Sequence, residues 1–281
     1  MVALDPRINA FRPELAAKQL QGQVEARHFV DGIRHEVIEA QTPLRRQPAH
    51  DARLDSEALL GEAIMVYETT DEGWAWGQLD ADGYVGWLSA NALGPPGATA
   101  THKVVATRTL AFPGPDIKLP PLAALPLGAR VAIVRQDERF AISASGLYLP
   151  AAHVAPVKAR EPDFVAVAER FLGVPYLWGG KTVLGIDCSG LVQVALQAAG
   201  FHCPRDSDLQ ELTVGKLASL SDLRRGDLLY WKGHVAIARD GNTLLHANAH
   251  HMAVASEPVA NALTRIKAAG SEVTSVRRVS A

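Results

Sequence analysis

Two apolar periodicities run along the chain and change over near residue 160. From residue 35 to about 154, short runs alternate apolar and polar positions and are separated by Gly, Asp and Pro. That is the pattern of small half-buried β-strands. Downstream the period lengthens. Residues 161–173 read as a helix, with Pro162 near its first position, Asp163 in its first turn and Gly173 at its end. From Cys188, the residues Leu191, Val192, Val194, Ala195, Leu196, Ala198 and Ala199 make a thick apolar face that Gly200 ends. Asp187 is a good N-cap, so Cys188 takes the first helical position. Residues 223–231 and 234–239 read as two strands, the second closing in the Asp240-Gly241-Asn242 turn, with 243–247 returning. The C-terminal part is therefore α+β, helices first and then an antiparallel sheet.

The upstream strands repeat. Residues 35–48 line up with 102–115, and Leu60-Gly61 with Ile64 and Val66 matches Leu127-Gly128 with Val131 and Ile133. Asp71-Glu72 before Trp74 corresponds to Asp137-Glu138 before Phe140, and Gly86-Trp87-Leu88 to Leu147-Tyr148-Leu149. Four blocks in one order imply two copies of a small β-barrel. The expected division is an N-terminal arm (1–34) carrying a short helix over 14–21, a first barrel (35–97), a divergent second barrel (98–156) and an α+β domain (157–281).

The 281 residues are 48% apolar and 21% charged, with a formal net charge of −2. That profile gives no basic excess for nucleic acid or an anionic membrane. No apolar run approaches the roughly 20 residues of a membrane span. The first residues lack a positive segment followed by an apolar one, so a cytoplasmic protein is expected, or an extracytoplasmic one if an export sequence precedes them. Oligomeric state is not legible. Cys188 and Cys203 are the two cysteines. A helix over 188–199 would hold its ends roughly 17 Å apart, too far for a disulfide, so Cys203 is expected to be a free structural thiol.

Cys188 is the candidate nucleophile. A thiol at a helix N-terminus feels the positive end of the dipole and unpaired N–H groups, which favour the thiolate. Asp187 and Ser189 flank it, and Tyr176 and Trp178 lie a short loop upstream, a composition that suits a cleft. A thiolate needs a base, and the base an orienting partner. His234 and His246 lie on adjacent expected strands and can meet on one face. The spacing of His246 and His250 also invites a zinc reading, but no Glu follows the first His, and the apolar run before it argues for a strand. Neither metal nor cofactor is expected.

Tyr176-x-Trp178-Gly179-Gly180, Asp187-Cys188-Ser189-Gly190-Leu191, Arg225-Gly226-Asp227, His234-Val235-Ala236-Ile237 and His246-Ala247 together resemble the NlpC-type family of papain-like cysteine peptidases. The segment Gly83-Tyr84-Val85-Gly86-Trp87-Leu88 resembles bacterial SH3-type barrels. The resemblance implies Cys188 as nucleophile, His234 as base and acid, and His246 as orienting residue. It implies hydrolysis of peptidoglycan stem peptides between D-γ-glutamate and the following diamino acid. The barrels point to the members that take free muropeptides beginning with L-Ala. There Tyr84, Asp187, Ser189 and a barrel glutamate (Glu57 or Glu62) would meet the free amine, Tyr176 and Trp178 would wall the cleft, and Arg205, Asp206 and Ser207 would lie near the ligand. An amidase or transacylase on the same fold and a non-catalytic wall-binding protein are the alternatives.

Overall fold

The structure, a computed structural model, describes residues 4–279. The chain divides into two compact units, residues 1–157 and 158–281.

In the first unit, seven strands form one sheet in the spatial order Leu54–Leu59, Gln41–Arg45, Val85–Ser89, Trp74–Leu79, Ala63–Thr69, Ile33–Val37 and Leu93–Gly94. Alternate residues point inward, so Val37, Leu44, Ile64, Leu79 and Leu88 close over one core. The second barrel folds three small sheets around Val104, Ala111, Leu125, Val131, Ala141 and Leu149. The sequence repeat has a backbone counterpart: Gly61 (φ +75°) and Gly128 (φ +89°) hold the same left-handed turn in the two copies. At Gly61 the two copies also touch. Arg130 N–H donates to the Leu60 carbonyl at 2.8 Å, and a Cβ on Gly61 would stand 2.5 Å from the Arg130 carbonyl oxygen.

The arm departs from expectation. Instead of a helix over 14–21, Leu15–Ala17 is a strand parallel to His28–Val30, and Lys18–Leu20 is one 3₁₀ turn. Tertiary packing overrides local propensity here. Leu15, Ala17 and Leu20 cover Trp74, Trp76 and Trp87, and the Arg12 guanidinium lies 4.3 Å and 4.9 Å from the Trp76 and Trp87 rings. An extended chain aims residues 15 and 17 to the same side, which a helix would not.

The second unit comprises α1 (Phe164–Glu169), α2 (Cys188–Ala198), α3 (Ser207–Thr213), β1 (Lys216–Ala218), β2 (Asp227–Trp231), β3 (His234–Ala238), β4 (Thr243–Asn248), β5 (Ala253–Pro258), α4 (Val259–Ala268) and β6 (Val273–Arg278). These six strands form one antiparallel sheet ordered β1-β6-β2-β3-β4-β5, and Lys181–Thr182 pairs with Gly185–Ile186 in a separate two-stranded hairpin. α2 packs across β3 and β4. This is the papain-like α+β arrangement expected after two SH3-like barrels. Both cysteines are free and buried. Among the described residues no helix is long and apolar enough to cross a membrane.

Gly61 and Gly73 (φ +84°) both occupy left-handed backbone, but nothing lies within 4 Å of a Cβ at Gly73. The conformational penalty of about 1–2 kcal/mol applies to alanine at either site, whereas the clash applies only at Gly61. Gly61→Ala is therefore expected to unfold at lower urea than Gly73→Ala, followed by tryptophan fluorescence. Equal midpoints would contradict the contact between the barrels.

Candidate active site

The amino end of α2 is built around one carboxylate. Asp187 is the N-cap, and its Oδ1 accepts from Gly190 N–H at 2.7 Å while Oδ2 accepts from Gly179 N–H at 2.8 Å. The Arg205 guanidinium closes on both oxygens, at 2.9 Å and 2.7 Å, and also donates to Ser189 Oγ at 2.9 Å and to the Gly180 carbonyl at 3.3 Å. Gly190 has to be glycine, because a Cβ there would lie 2.4 Å from the Gly180 carbonyl oxygen. The Gly179-Gly180 loop is thereby drawn onto the first turn of α2. Gln210 ties the other side down, donating to the Ser189 and Pro204 carbonyls at 2.9 Å and 2.8 Å.

Cys188 is the first helical residue, as the N-cap pattern implies, and is 7% exposed. The Val235 N–H, one residue past His234, donates toward its sulfur. The expected thiolate is corrected by the surroundings. Burial, with the Asp187 carboxylate beside it, pushes the Cys188 thiol up to about 12, outweighing Arg205 and the amide donors. In the ligand-free chain the sulfur is a neutral thiol at neutral pH.

The register of the sheet brings the imidazoles together. Ile237 pairs with Leu245 and Ala238 with Leu244, and continuing that ladder sets His246 diagonal to His234 on one face. Their rings meet through His234 Nε2 and His246 Nδ1 at 2.8 Å. Trp231 packs on the other side of His234, with ring centroids 5.6 Å apart. The same diagonal continues one strand further. Leu244 pairs with Glu257, and Glu257 Oε1 lies 2.8 Å from His246 Nε2. Arg265 of α4 then donates to Glu257. Burial lowers His234 to about 3, helped by His246 and Arg265, and lowers His246 to about 4 against the opposing pull of Glu257. For Glu257 burial works against ionisation, yet the bonds from Arg265 and His246 win and its pKa falls.

Proton positions follow from acceptor chemistry. An ionised carboxylate only accepts, so His246 carries its proton on Nε2 and offers Nδ1 as a lone pair. His234 must then donate through Nε2, which leaves its Nδ1 unprotonated. The thiol at the start of α2 meets the backbone N–H of the residue that follows His234, and a thiol with an imidazole that keeps a free lone pair are the two groups that a proton transfer from sulfur to nitrogen needs.

Other expected site residues fall in two groups. Trp178 is 50% exposed and Tyr176 half-buried, its N–H donating to the Met252 carbonyl at 2.9 Å, and Asp206 and Ser207 are half-buried at the start of α3. Arg205, by contrast, is 1% exposed and bound to Asp187, so it braces the helix end and is not an open ligand contact. Asp187 and Ser189 are engaged in the same cluster. In the first unit Tyr84 packs in the barrel core with Leu79 and Leu88, a correction to its expected place at the ligand. Glu57 accepts from Gln41 at 3.0 Å, and Glu62 holds the Leu59 N–H at 2.8 Å. Glu257 and Arg265 were not anticipated. The signal available was an acid in β5 with the parity of Ala255, within one strand of His246. His246 lies on a strand, so helical spacing to His250 does not apply. Among the described residues no group of three His, Cys, Asp or Glu is arranged to hold a metal.

Comparison with known proteins shows the family. A model described as the NlpC/P60 family matches residues 173–269, and one described as the bacterial dipeptidyl-peptidase Sh3 domain matches 44–93. The chain is 30% identical over 224 residues to gamma-D-glutamyl-L-lysine dipeptidyl-peptidase of Bacillus subtilis (strain 168), covering 70% of this chain and 73% of that one. The chain belongs to the NlpC/P60 family. It is a cysteine peptidase with an SH3-type domain ahead of its catalytic fold. It is also 36% identical over 98 residues to dipeptidyl-peptidase 6 of Lysinibacillus sphaericus, a match spanning about a third of each protein (35% and 36%). Among solved structures, an NlpC/P60 family protein from Bacillus cereus ATCC 10987 superposes with a TM-score of 0.73 over 88% of this chain and 99% of its own, at 20% identity, a likeness of fold.

The buried Asp187–Arg205 pair yields a test of this NlpC/P60 site. Arg205→Met would strand a carboxylate 6% exposed at the helix end. Removing one partner of such a pair costs about 3–5 kcal/mol, so urea unfolding is expected to show a loss of that size. A loss below about 1 kcal/mol would mean that the pair does not brace the site.

Proposed function

We propose that this chain hydrolyses the amide between D-γ-glutamate and the following diamino acid in peptidoglycan stem peptides, acting on free peptides that begin with L-Ala. The observation that carries the reading is the juxtaposition of Cys188 at the start of α2 with β3, whose His234 is bonded to His246. Two relatives support the substrate class by name: gamma-D-glutamyl-L-lysine dipeptidyl-peptidase of Bacillus subtilis and its namesake in Bacillus cereus (25% identical over 229 residues).

In this reading Cys188 is the nucleophile and His234 its general base. With thiol and imidazole both neutral at rest, the proton moves from sulfur to His234 Nδ1 as the sulfur attacks the amide carbonyl. The Cys188 N–H, at the first helical position with no intrahelical partner, is positioned to donate to the developing oxyanion. His234 returns the proton to the departing amine. It then takes a proton from the water that attacks the thioester, and the free acid leaves as Cys188 regains its hydrogen. His246 holds the His234 ring throughout.

Recognition of the L-Ala amine is assigned to the neighbourhood of Asp187 and Ser189. Because Arg205 already holds Asp187, an ammonium reaching that carboxylate would share it.

Incubation with L-Ala-γ-D-Glu-meso-diaminopimelate, followed by mass spectrometry, is expected to release L-Ala-γ-D-Glu and diaminopimelate, with no release by Cys188→Ala. The N-acetylated tripeptide is expected to remain intact. Cleavage of both peptides would remove the amine-recognition role, and persistence of both with the wild type would overturn the substrate assignment.

A further inference from the structure

We propose that Glu257 and Arg265 are positioning residues that set the direction of the proton chain through His246 and His234, and so decide which nitrogen of His234 is left to act as base. This deepens the peptidase reading and rests on it for its catalytic meaning. The geometry itself needs no substrate.

Two neutral imidazoles in contact can share a proton either way. If His246 carried it on Nδ1, it would donate to His234 Nε2, and His234 would be protonated on Nδ1, with no lone pair for a thiol. If His246 carries it on Nε2, the chain runs in the opposite direction and His234 Nδ1 is free. Nothing within the histidine pair chooses between these. The choice comes from the far end, where Glu257 Oε1 stands 2.8 Å from His246 Nε2. A carboxylate has no proton to give, so a lone pair on Nε2 would face another lone pair in a site where His246 is 1% exposed. Arg265 keeps that carboxylate ionised despite its burial, because its guanidinium donates to the same oxygen. Arg265 and His246 thus both donate to Glu257 and His234 donates to His246, so the hydrogens of both imidazoles run toward the carboxylate.

Every element packed on the relay contributes charge. α2 brings Cys188 and Asp187, and the loop before α3 brings Arg205. β3 and β4 bring His234 and His246. The turn after β4 brings His251, which accompanies Arg265 in opposing protonation of His246. Glu257 from β5 favours that protonation, and Arg265 from α4 disfavours it at both imidazoles. Removing Glu257 and removing Arg265 must therefore act with opposite signs on the imidazoles, whereas a purely structural role would give no such opposition.

Nitrogen NMR of the ¹⁵N-histidine-labelled wild type tests the direction without any variant. His246 and His234 are both expected as Nε2–H tautomers. A His246 carrying its proton on Nδ1 would overturn the proposal. In the variants, Arg265→Gln is expected to raise the His246 titration midpoint by about 0.5–1 pH unit and Glu257→Gln to lower it. Midpoints that stay put, or that move the same way in both, would also overturn it. Tripeptide hydrolysis is a separate measurement: a wild type with the expected tautomers and no hydrolysis refutes the substrate reading and leaves the relay standing.

Discussion

Everything chemical in this molecule depends on one antiparallel register. Three neighbouring strands, β3, β4 and β5, each place one polar side chain on the same face, displaced by two residues from strand to strand. His234, His246 and Glu257 thus lie along a diagonal across the sheet. Side chains in a strand alternate faces, so a slip of one residue between any two strands would send a member of the row to the opposite side of the sheet. The apolar residues interleaved with them secure the alignment. Leu229, Trp231, Ala236, Ala238 and Leu244 share that face and pack there with Ala262 of α4 and Val276 of β6.

Burial governs how that row behaves. Excluding water strengthens each hydrogen bond and also penalises every charge that lacks a partner. Where partners are provided, ion pairs form: Asp187 with Arg205, Glu257 with Arg265. Cys188 and His234 lack such a partner and stay neutral, and His246 stays neutral because burial outweighs the pull of Glu257. The reactive groups are bracketed by two ion pairs, one at the helix end and one at the far end of the row. In the proposed mechanism the proton moves when the substrate arrives, and no ion pair has to be maintained in its absence.

Much of this was legible in the sequence, for identifiable reasons. Asp187 as N-cap, Cys188 as first helical residue and the strand pair carrying His234 and His246 are local features, set by caps, periodicity and a turn. The repeat of the barrels was visible because matched turns demand matched glycines, as at Gly61 and Gly128. What escaped reading was tertiary. The arm around Leu15 had helical propensity but was recruited as a strand by three tryptophans distant in sequence. Arg205 was expected near the ligand, and its bracing role escaped because its partner lies 18 residues away across the helix end. Glu257 was hidden because its role depends on a strand register that no local pattern specifies. Tyr84 was assigned by resemblance, and its packing in the barrel core is a property of the folded sheet.

The most direct test of the central claim asks whether the sulfur and the imidazole work as a pair. A halomethyl ketone built on L-Ala-γ-D-Glu would be mixed with wild type and with His234→Ala, and the labelled residue and rate read by mass spectrometry. Labelling is predicted at Cys188 alone, slowed about a hundredfold or more in the variant. Equal rates in the two proteins, or adduct on Cys203, would contradict the account.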